Sequence, residues 1–185
     1  LGNMSLVELL LQGKTTTPAD LVKDLPGNNE AKAETIDNNL QHEIVKKMSS
    51  NSVYYGKLSE MLKKIILQRK IEAMSYEEYL RQVVELAEAI LHPENSGSYP
   101  DGIKDSAARR ALYDHFEANF ELTIDVDGAI RVSIRPEWKR NFQKQQRIRL
   151  AIYQKLLLHS YSEDKATEET QNVFDIAQRQ EEYDV

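Results

Sequence analysis

Apolar residues recur along this chain every three or four positions, and each run is bounded by helix-start and helix-stop signals. A sequence so patterned can bury its stripes by packing helices together but cannot present them as alternating strand faces. From Glu30 to Met48 the stripe is Ile36, Leu40, Ile44 and Met48, widened by Ala33 and Val45. Leu58, Met61, Leu62, Ile65, Ile66 and Arg69 lie on adjoining turns of a second long helix, expected from about Val53 to Glu72. Ser75 and Glu78 form a capping box ahead of Tyr79, Val83, Leu86, Ala87 and Ile90. At the start of the chain Ser5 and Glu8 form another, ahead of Leu6, Leu9, Leu10 and Leu11, and a stop is expected at Gly13. Thr17 and Pro18 supply an N-cap and a first-turn proline.

Pro93 ends the helix that closes near Leu91, and the run from His92 to Gly102 gathers Pro, Asn, Ser, Gly and Asp. That run divides the chain into an N-terminal helical lobe over 1–92 and a C-terminal helical lobe over 103–185. The linker is 93–102, and packing of both lobes as one domain is the alternative. Helix resumes near Asp105 or Ser106 with Ala108, Leu112 and Phe116 on one face. Another helix is expected from Asn141 to His159, and a last one from Ser162 or Thr167 carrying Val173, Phe174, Ile176 and Ala177.

The segment 122–134 supports two readings. Leu122, Ile124 and Val126 alternate, and Asp127-Gly128 is a hairpin turn signal leading into Ile130, Val132 and Ile134. Leu122, Val126, Ile130 and Ile134 equally fit one helix face. Helix is preferred, with a short β-hairpin as the alternative. The fold class expected is all-α, an irregular multi-helix bundle in two lobes. Only 7 Gly and 5 Pro among 185 residues agree with it, since an all-β chain consumes both in turns. The closing residues, Glu181 to Val185, read as a polar end that frays into solvent.

Composition narrows the chemistry. No cysteine is present, which excludes disulfides and thiolate metal sites. No apolar run approaches the roughly 20 residues of a membrane helix. The net charge of −6 argues against a general coat for nucleic acid. Locally, however, seven basic residues face one acid between Arg135 and Lys155, a balance of +6, and eight acids face two basic residues between Tyr161 and Val185, a balance of −6. Trp138, Lys139, Arg140, Lys144, Arg147 and Arg149 are therefore candidates for contact with DNA or a partner, the basic groups tracking phosphates and the indole stacking. The competing reading pairs this helix with the acidic one or leaves its charges solvated.

No catalytic constellation completes itself. Gly13, Lys14 and Thr15 copy the end of a phosphate-binding loop, but Glu8 stands where its first glycine belongs. His42 and Glu43 begin a zincin pattern whose second histidine would be Lys46. His92, His115 and His159 are scattered. Pro100 and Asp101 followed by Glu137 and Lys139 mimic the acids and lysine of metal-dependent nucleases, but that chemistry needs a sheet to converge the carboxylates. No catalytic, cofactor-binding or metal residue is assigned.

Several segments taken in order resemble the C-terminal region of the R subunit, the motor and restriction subunit, of bacterial type I restriction enzymes. They are Met4-Ser5-Leu6-Val7-Glu8-Leu9, Glu34-Thr35-Ile36-Asp37-Asn38-Asn39 and Tyr54-Tyr55 with Lys57-Leu58-Ser59-Glu60. Tyr76-Glu77-Glu78-Tyr79-Leu80, Val84-Glu85-Leu86 and Arg110-Ala111-Leu112-Tyr113 follow. Trp138 with Asn141, then Ile148, Ala151, Ile152 and Tyr153, and finally Phe174, Ala177, Gln180, Glu182 and Tyr183 complete the order. The resemblance covers nearly the whole chain, departing from the family at Gln145 and Gln146, where the family usually has a charged residue, and over Val126 to Ile134, where the family has a helix and this sequence reads partly as strand. It implies a C-terminal piece of a larger cytoplasmic bacterial protein. In that family this region is a non-catalytic helical assembly domain that docks an ATP-dependent DNA translocase and endonuclease onto the methyltransferase (M) subunits and supports the motor. ATP and Mg²⁺ belong to other parts of such a parent, and no cofactor is expected in this piece. The implied partners are the M subunit, the helicase-like domains of the same chain and duplex DNA, with no membrane.

Overall fold

A computed structural model describes residues 5–11 and 18–185, and every regular element among them is helical. The helices are α1 (Leu6–Leu11), α2 (Pro18–Leu21), α3 (Asn29–Lys47), α4 (Ser52–Lys70), α5 (Tyr76–Leu91), α6 (Ala107–His115), α7 (Phe120–Ser133), α8 (Phe142–Leu158) and α9 (Glu163–Gln178). Single 3₁₀ turns occur at Pro93–Asn95, Trp138–Arg140 and Glu181–Tyr183. Met4, the expected stop at Gly13, the Gly13-Lys14-Thr15 motif and the expected cap at Thr17 lie outside the described residues.

The starts follow from local chemistry. At α1 the capping box closes in both directions: Glu8 N–H donates to Ser5 Oγ at 3.2 Å and Ser5 N–H donates to Glu8 Oε2 at 2.8 Å. Asn28, Ser75, Ser106, Asn119, Asn141 and Ser162 each accept a backbone N–H three residues on. Each such cap is worth about 1 kcal/mol and satisfies a donor the helix itself leaves unpaired.

The chain divides into two compact units: Leu1–Met48 with Tyr54–Ser96, and Ser49–Val53 with Gly97–Val185. In the first unit α1, α3, α4 and α5 bury Leu10, Ile36, Leu40, Ile44, Leu62, Leu80, Val83, Leu86 and Ile90. Fully burying each such side chain contributes about 1.5–3 kcal/mol. An ion pair is enclosed there. Arg69 Nη2 donates to Asp37 Oδ2 at 2.7 Å, and the Tyr79 hydroxyl donates to Asp37 Oδ1 at 2.8 Å.

In the second unit α7 and α8 run antiparallel, with His159 at the end of α8 beside Asp125 near the start of α7 (2.8 Å). Ile148, Ile152 and Leu156 of α8 share a core with Val126 and Ile130 of α7, and with Val173 and Phe174 of α9. The short segment Ser49–Val53 is tied into this unit. The Gln180 amide donates to the Ser50 carbonyl at 2.9 Å, and Asn51 Nδ2 donates to Asp114 at 2.6 Å. Residues 93–102 are built into the fold. Tyr99 is buried and donates its hydroxyl to Asp114 at 2.6 Å, and Pro100–Lys104 closes a turn that buries Ile103.

Helix wins at 122–134 because of one carboxylate. A hairpin would put Asp127 in a solvated turn, whereas the helix buries it completely and brings Arg131 Nε, one turn on, to 2.9 Å. Leu122, Val126 and Ile130 then fall on a single buried face.

The expectation of a fraying C-terminus is overturned. Tyr183 is fully buried, and the Trp138 indole N–H donates to its carbonyl at 2.7 Å. Glu182 accepts from Ser106 Oγ at 2.7 Å, Ala108 N–H at 3.1 Å and Arg131 Nη2 at 2.8 Å. A polar composition suggests a loose end only while its partners, more than forty residues upstream, are out of view.

Candidate docking surface and basic stretch

The candidate contact residues do not form one face. Trp138 is an interior side chain, 1% exposed and packed edge-on against Phe174 with centroids 5.8 Å apart, so it has no ring face to offer a base. Lys139 Nζ donates to the Gln180 carbonyl at 3.2 Å and pairs with Asp184. Lys144 Nζ donates to the Pro136 carbonyl at 2.6 Å, closing the loop that leads into α8. Arg149 bonds to Gln171 and lies 3.7 Å over the Phe174 ring, a cation–π contact joining α8 to α9. Arg140 and Arg147 are exposed and make no side-chain hydrogen bond or ion pair among the described residues. Most of the positive block therefore stitches the second unit together. Only the Lys139–Asp184 ion pair joins the basic and acidic blocks among the described residues.

The polar centre of the unit is Asp127, which sequence reasoning does not single out. Its Oδ2 accepts from Arg109 Nε at 2.7 Å and from Arg131 Nε at 3.0 Å, and its Oδ1 accepts from the Tyr183 hydroxyl at 2.7 Å. Burial pushes its carboxyl pKa up, but the hydrogen bonds from Arg131, Arg109 and Tyr183 outweigh this and leave it below the usual value. Burial likewise raises the Glu182 carboxyl, and bonds from Ser106, Arg131 and the Ala108 N–H bring it net below its ordinary value. The Tyr183 phenol is driven upward by burial first and then by the Asp127 charge. Every charge here is consumed by a neighbour, which makes the cluster a clamp on residues 180–185. Only Asp127 and Arg131, spaced i,i+4, carried a local signal; Arg109 and Tyr183 could be placed only by the fold.

The nuclease-like residues stay apart in their bonding. Asp101 pairs with Lys104 at 2.6 Å, Glu137 adopts a left-handed conformation at the start of a 3₁₀ turn, and Lys139 is held by the C-terminal residues. His92 sits beside Glu94, His115 beside Glu169 and His159 beside Asp125. No group of three or more metal-ligating side chains gathers among the described residues.

The second unit also exposes apolar surface. Between α7 and α8 lies an open cleft of about 560 Å³ lined by Ile124, Gly128, Ala129, Val132, Ala151 and Leu158, with Asp125, Ser133, Gln154 and Lys155 at its margins. Val132 and Leu158 are 72% and 75% exposed, and Leu150 and Phe142 project from the outer side of α8. A Cβ built on Gly128 would meet nothing within 4 Å. Glycine there costs about 1 kcal/mol relative to alanine, with no packing inside the unit to require it. Compared with protein-family models, curated proteins and solved structures, the chain matches none.

Proposed function

We propose that this chain is a non-catalytic helical assembly domain of the kind found in the R subunits of type I restriction enzymes, docking an ATP-dependent DNA translocase and endonuclease onto its methyltransferase core. The observation that carries the reading is a division of labour in the second unit. Its buried polar groups satisfy one another, while the large apolar side chains of Val132 and Leu158 face solvent in an open cleft. Exposed apolar surface on such a cleft favours a protein partner, since burying it is the main driving force of association. The order of segments resembling the C-terminal region of R subunits supplies the identity of that partner, the M subunit. In this reading the protein works in the bacterial cytoplasm, and nucleotide and Mg²⁺ are handled elsewhere in the parent polypeptide.

A test mixes the 185-residue chain with the assembled methyltransferase and follows complex formation by sedimentation velocity. Binding at micromolar concentration supports docking. Absence of a complex, together with normal assembly of an R subunit lacking these residues, rejects it.

A second reading rests on Arg140 and Arg147, exposed cations without an acidic partner among the described residues: sequence-independent contact with duplex DNA during translocation. It requires salt-sensitive binding whose log–log salt slope becomes shallower by about two in an Arg140→Ala, Arg147→Ala double variant. Unchanged affinity and slope in that variant would remove it.

A further inference from the structure

The outer side of α4 in the first unit interleaves apolar and basic side chains. α4 turns Leu58, Leu62 and Ile65 into the core together with the buried Arg69. On its outer side three long aliphatic chains emerge: Met61, Leu67 and Ile71 are 49%, 59% and 64% exposed. Ile71 belongs to the same surface, because its N–H donates to the Leu67 carbonyl at 3.1 Å and continues the last turn. Lys64 stands among them, three residues after Met61 and three before Leu67, and Lys57 lies two turns earlier on the same side.

The charge of this surface is positive and unspent. Between Lys57 and Leu67 three lysines face the single carboxylate of Glu60. Lys63 takes that carboxylate, donating to it at 2.6 Å and lowering its pKa, with a smaller contribution from the field of Lys64. Lys57 and Lys64 make no ion pair or side-chain hydrogen bond among the described residues. The two ammoniums are seven residues apart, about 10.5 Å along the helix axis.

This mixture selects among occupants. Duplex DNA would set Met61, Leu67 and Ile71 against phosphates and sugars and leave their apolar surface unused. A bilayer takes a helix whose apolar and charged faces are separate, whereas sinking Met61 and Leu67 into lipid would drag Lys64 and the Glu60–Lys63 pair beneath the headgroups. A second copy of the same face would bring lysines against lysines. An apolar helix with carboxylates set between its ridges meets both requirements, covering the aliphatic chains and neutralising the two cations.

We infer that the outer side of α4, from Lys57 to Ile71, docks one acidic amphipathic helix of a partner protein. Its apolar ridge packs on Met61, Leu67 and Ile71, and two of its carboxylates, seven residues apart, meet Lys57 and Lys64. This contact surface belongs to the first unit and does not rest on the methyltransferase reading, which is drawn from the second.

Two synthetic peptides of about 20 residues test it, titrated into the full chain by calorimetry. One repeats leucine every seven residues with glutamate four positions after each leucine, and the other carries lysine in place of glutamate. Each is measured against wild type, Leu67→Gln with Ile71→Gln, and Lys57→Glu with Lys64→Glu. All four positions are exposed, so the variants keep the wild-type fold, checked by circular dichroism melts. The glutamate peptide should bind wild type with Kd below about 1 mM, and more weakly as salt is added. The Leu67, Ile71 variant should bind it about tenfold more weakly or worse. The charge-reversed variant should release the glutamate peptide and bind the lysine peptide, a reversal that an unfolded chain would not give. Failure of the glutamate peptide to bind wild type, or equal affinity for wild type and either variant, overturns the inference. Binding of phosphatidylserine vesicles lost in the Leu67, Ile71 variant would give the face to a membrane and overturn the acidic-helix assignment. Binding of duplex DNA lost in the charge-reversed variant, or a wild-type dimer dispersed by Leu67→Gln with Ile71→Gln, would overturn it as well.

Discussion

Removing the Tyr183 hydroxyl should change sign of effect according to whether Asp127 is present. In the wild-type chain Tyr183→Phe deletes a 2.7 Å bond from a buried phenol to a buried carboxylate. Hydrogen bonds to charged groups are worth about 1.5–3 kcal/mol, and the lower figure applies because Asp127 keeps Arg109 and Arg131. With m of about 2 kcal/mol per molar urea, the midpoint should fall by about 0.7 M. Asp127→Ala should cost more, about 2–3 kcal/mol. Breaking an enclosed pair costs about 3–5 kcal/mol, but both guanidiniums are about one-third exposed and retain other acceptors, the Gly102 carbonyl for Arg109 and Glu182 for Arg131. In that background the Tyr183 hydroxyl has lost its acceptor, so adding Tyr183→Phe should be neutral or restore up to about 1 kcal/mol. The coupling is then about 1.5–2.5 kcal/mol. Trp138, the single tryptophan, reports on this unit, and its indole bond goes to the Tyr183 backbone, which the substitution leaves in place. Urea titrations of the four proteins by tryptophan fluorescence give the cycle. Equal losses from Tyr183→Phe in both backgrounds would show that the hydroxyl and the carboxylate do not stabilise each other.

Other outcomes follow from the same structure. Because Asp127 and Glu182 hold their protons less tightly folded than unfolded, the unfolded chain takes up more protons in acid. Their contribution is whole above about pH 4.5 and is lost as pH falls through their lowered folded values; Asp127→Asn should flatten this acid limb in urea midpoints measured against pH, and an unchanged limb would contradict it. In the first unit, Arg69→Met should cost about 2–4 kcal/mol by leaving Asp37 enclosed without its cation, and Asp37→Leu added to it should recover much of the loss; circular dichroism melts decide, and no recovery would refute the pairing. Gly128→Ala should raise stability by about 0.5–1 kcal/mol in the fluorescence titration, and a fall would mean that the site is crowded.

Helix starts could be read directly because an N-cap and its donor are three residues apart, as at Ser75, Ser106, Asn141 and Ser162. The same locality explains what could not be read. Asp127-Gly128 looks like a turn until Arg109 and Tyr183, 18 and 56 residues away, are known to converge on the carboxylate. Glu182 and Tyr183 look like a loose end until Ser106 and Trp138 are seen to hold them. Counting charges located the basic stretch correctly along the chain but gave no directions. Lys144 turns to a loop carbonyl and Arg149 to an aromatic ring, which a tally of signs does not distinguish from a phosphate-facing row. The exposed apolar cleft was equally hidden, since Val132 and Leu158 stand off the buried stripes, two residues past Ile130 and Leu156, and nothing local to them says that they gather in one cleft.

Dissecting the chain into halves has a hidden cost. Ser49–Val53 belongs to the second unit although about half of the first follows it in sequence, so no single cut separates the two cleanly. A truncation beginning at Gly97 would strip the buried Gln180 side chain of the Ser50 carbonyl and Asp114 of its Asn51 donor, and its partner ending at Ser96 would carry that five-residue remnant with nothing to hold. Fragments intended for binding or stability work should keep the polypeptide intact, or graft residues 49–53 ahead of Gly97, so that a weak result is not the scissors' own doing.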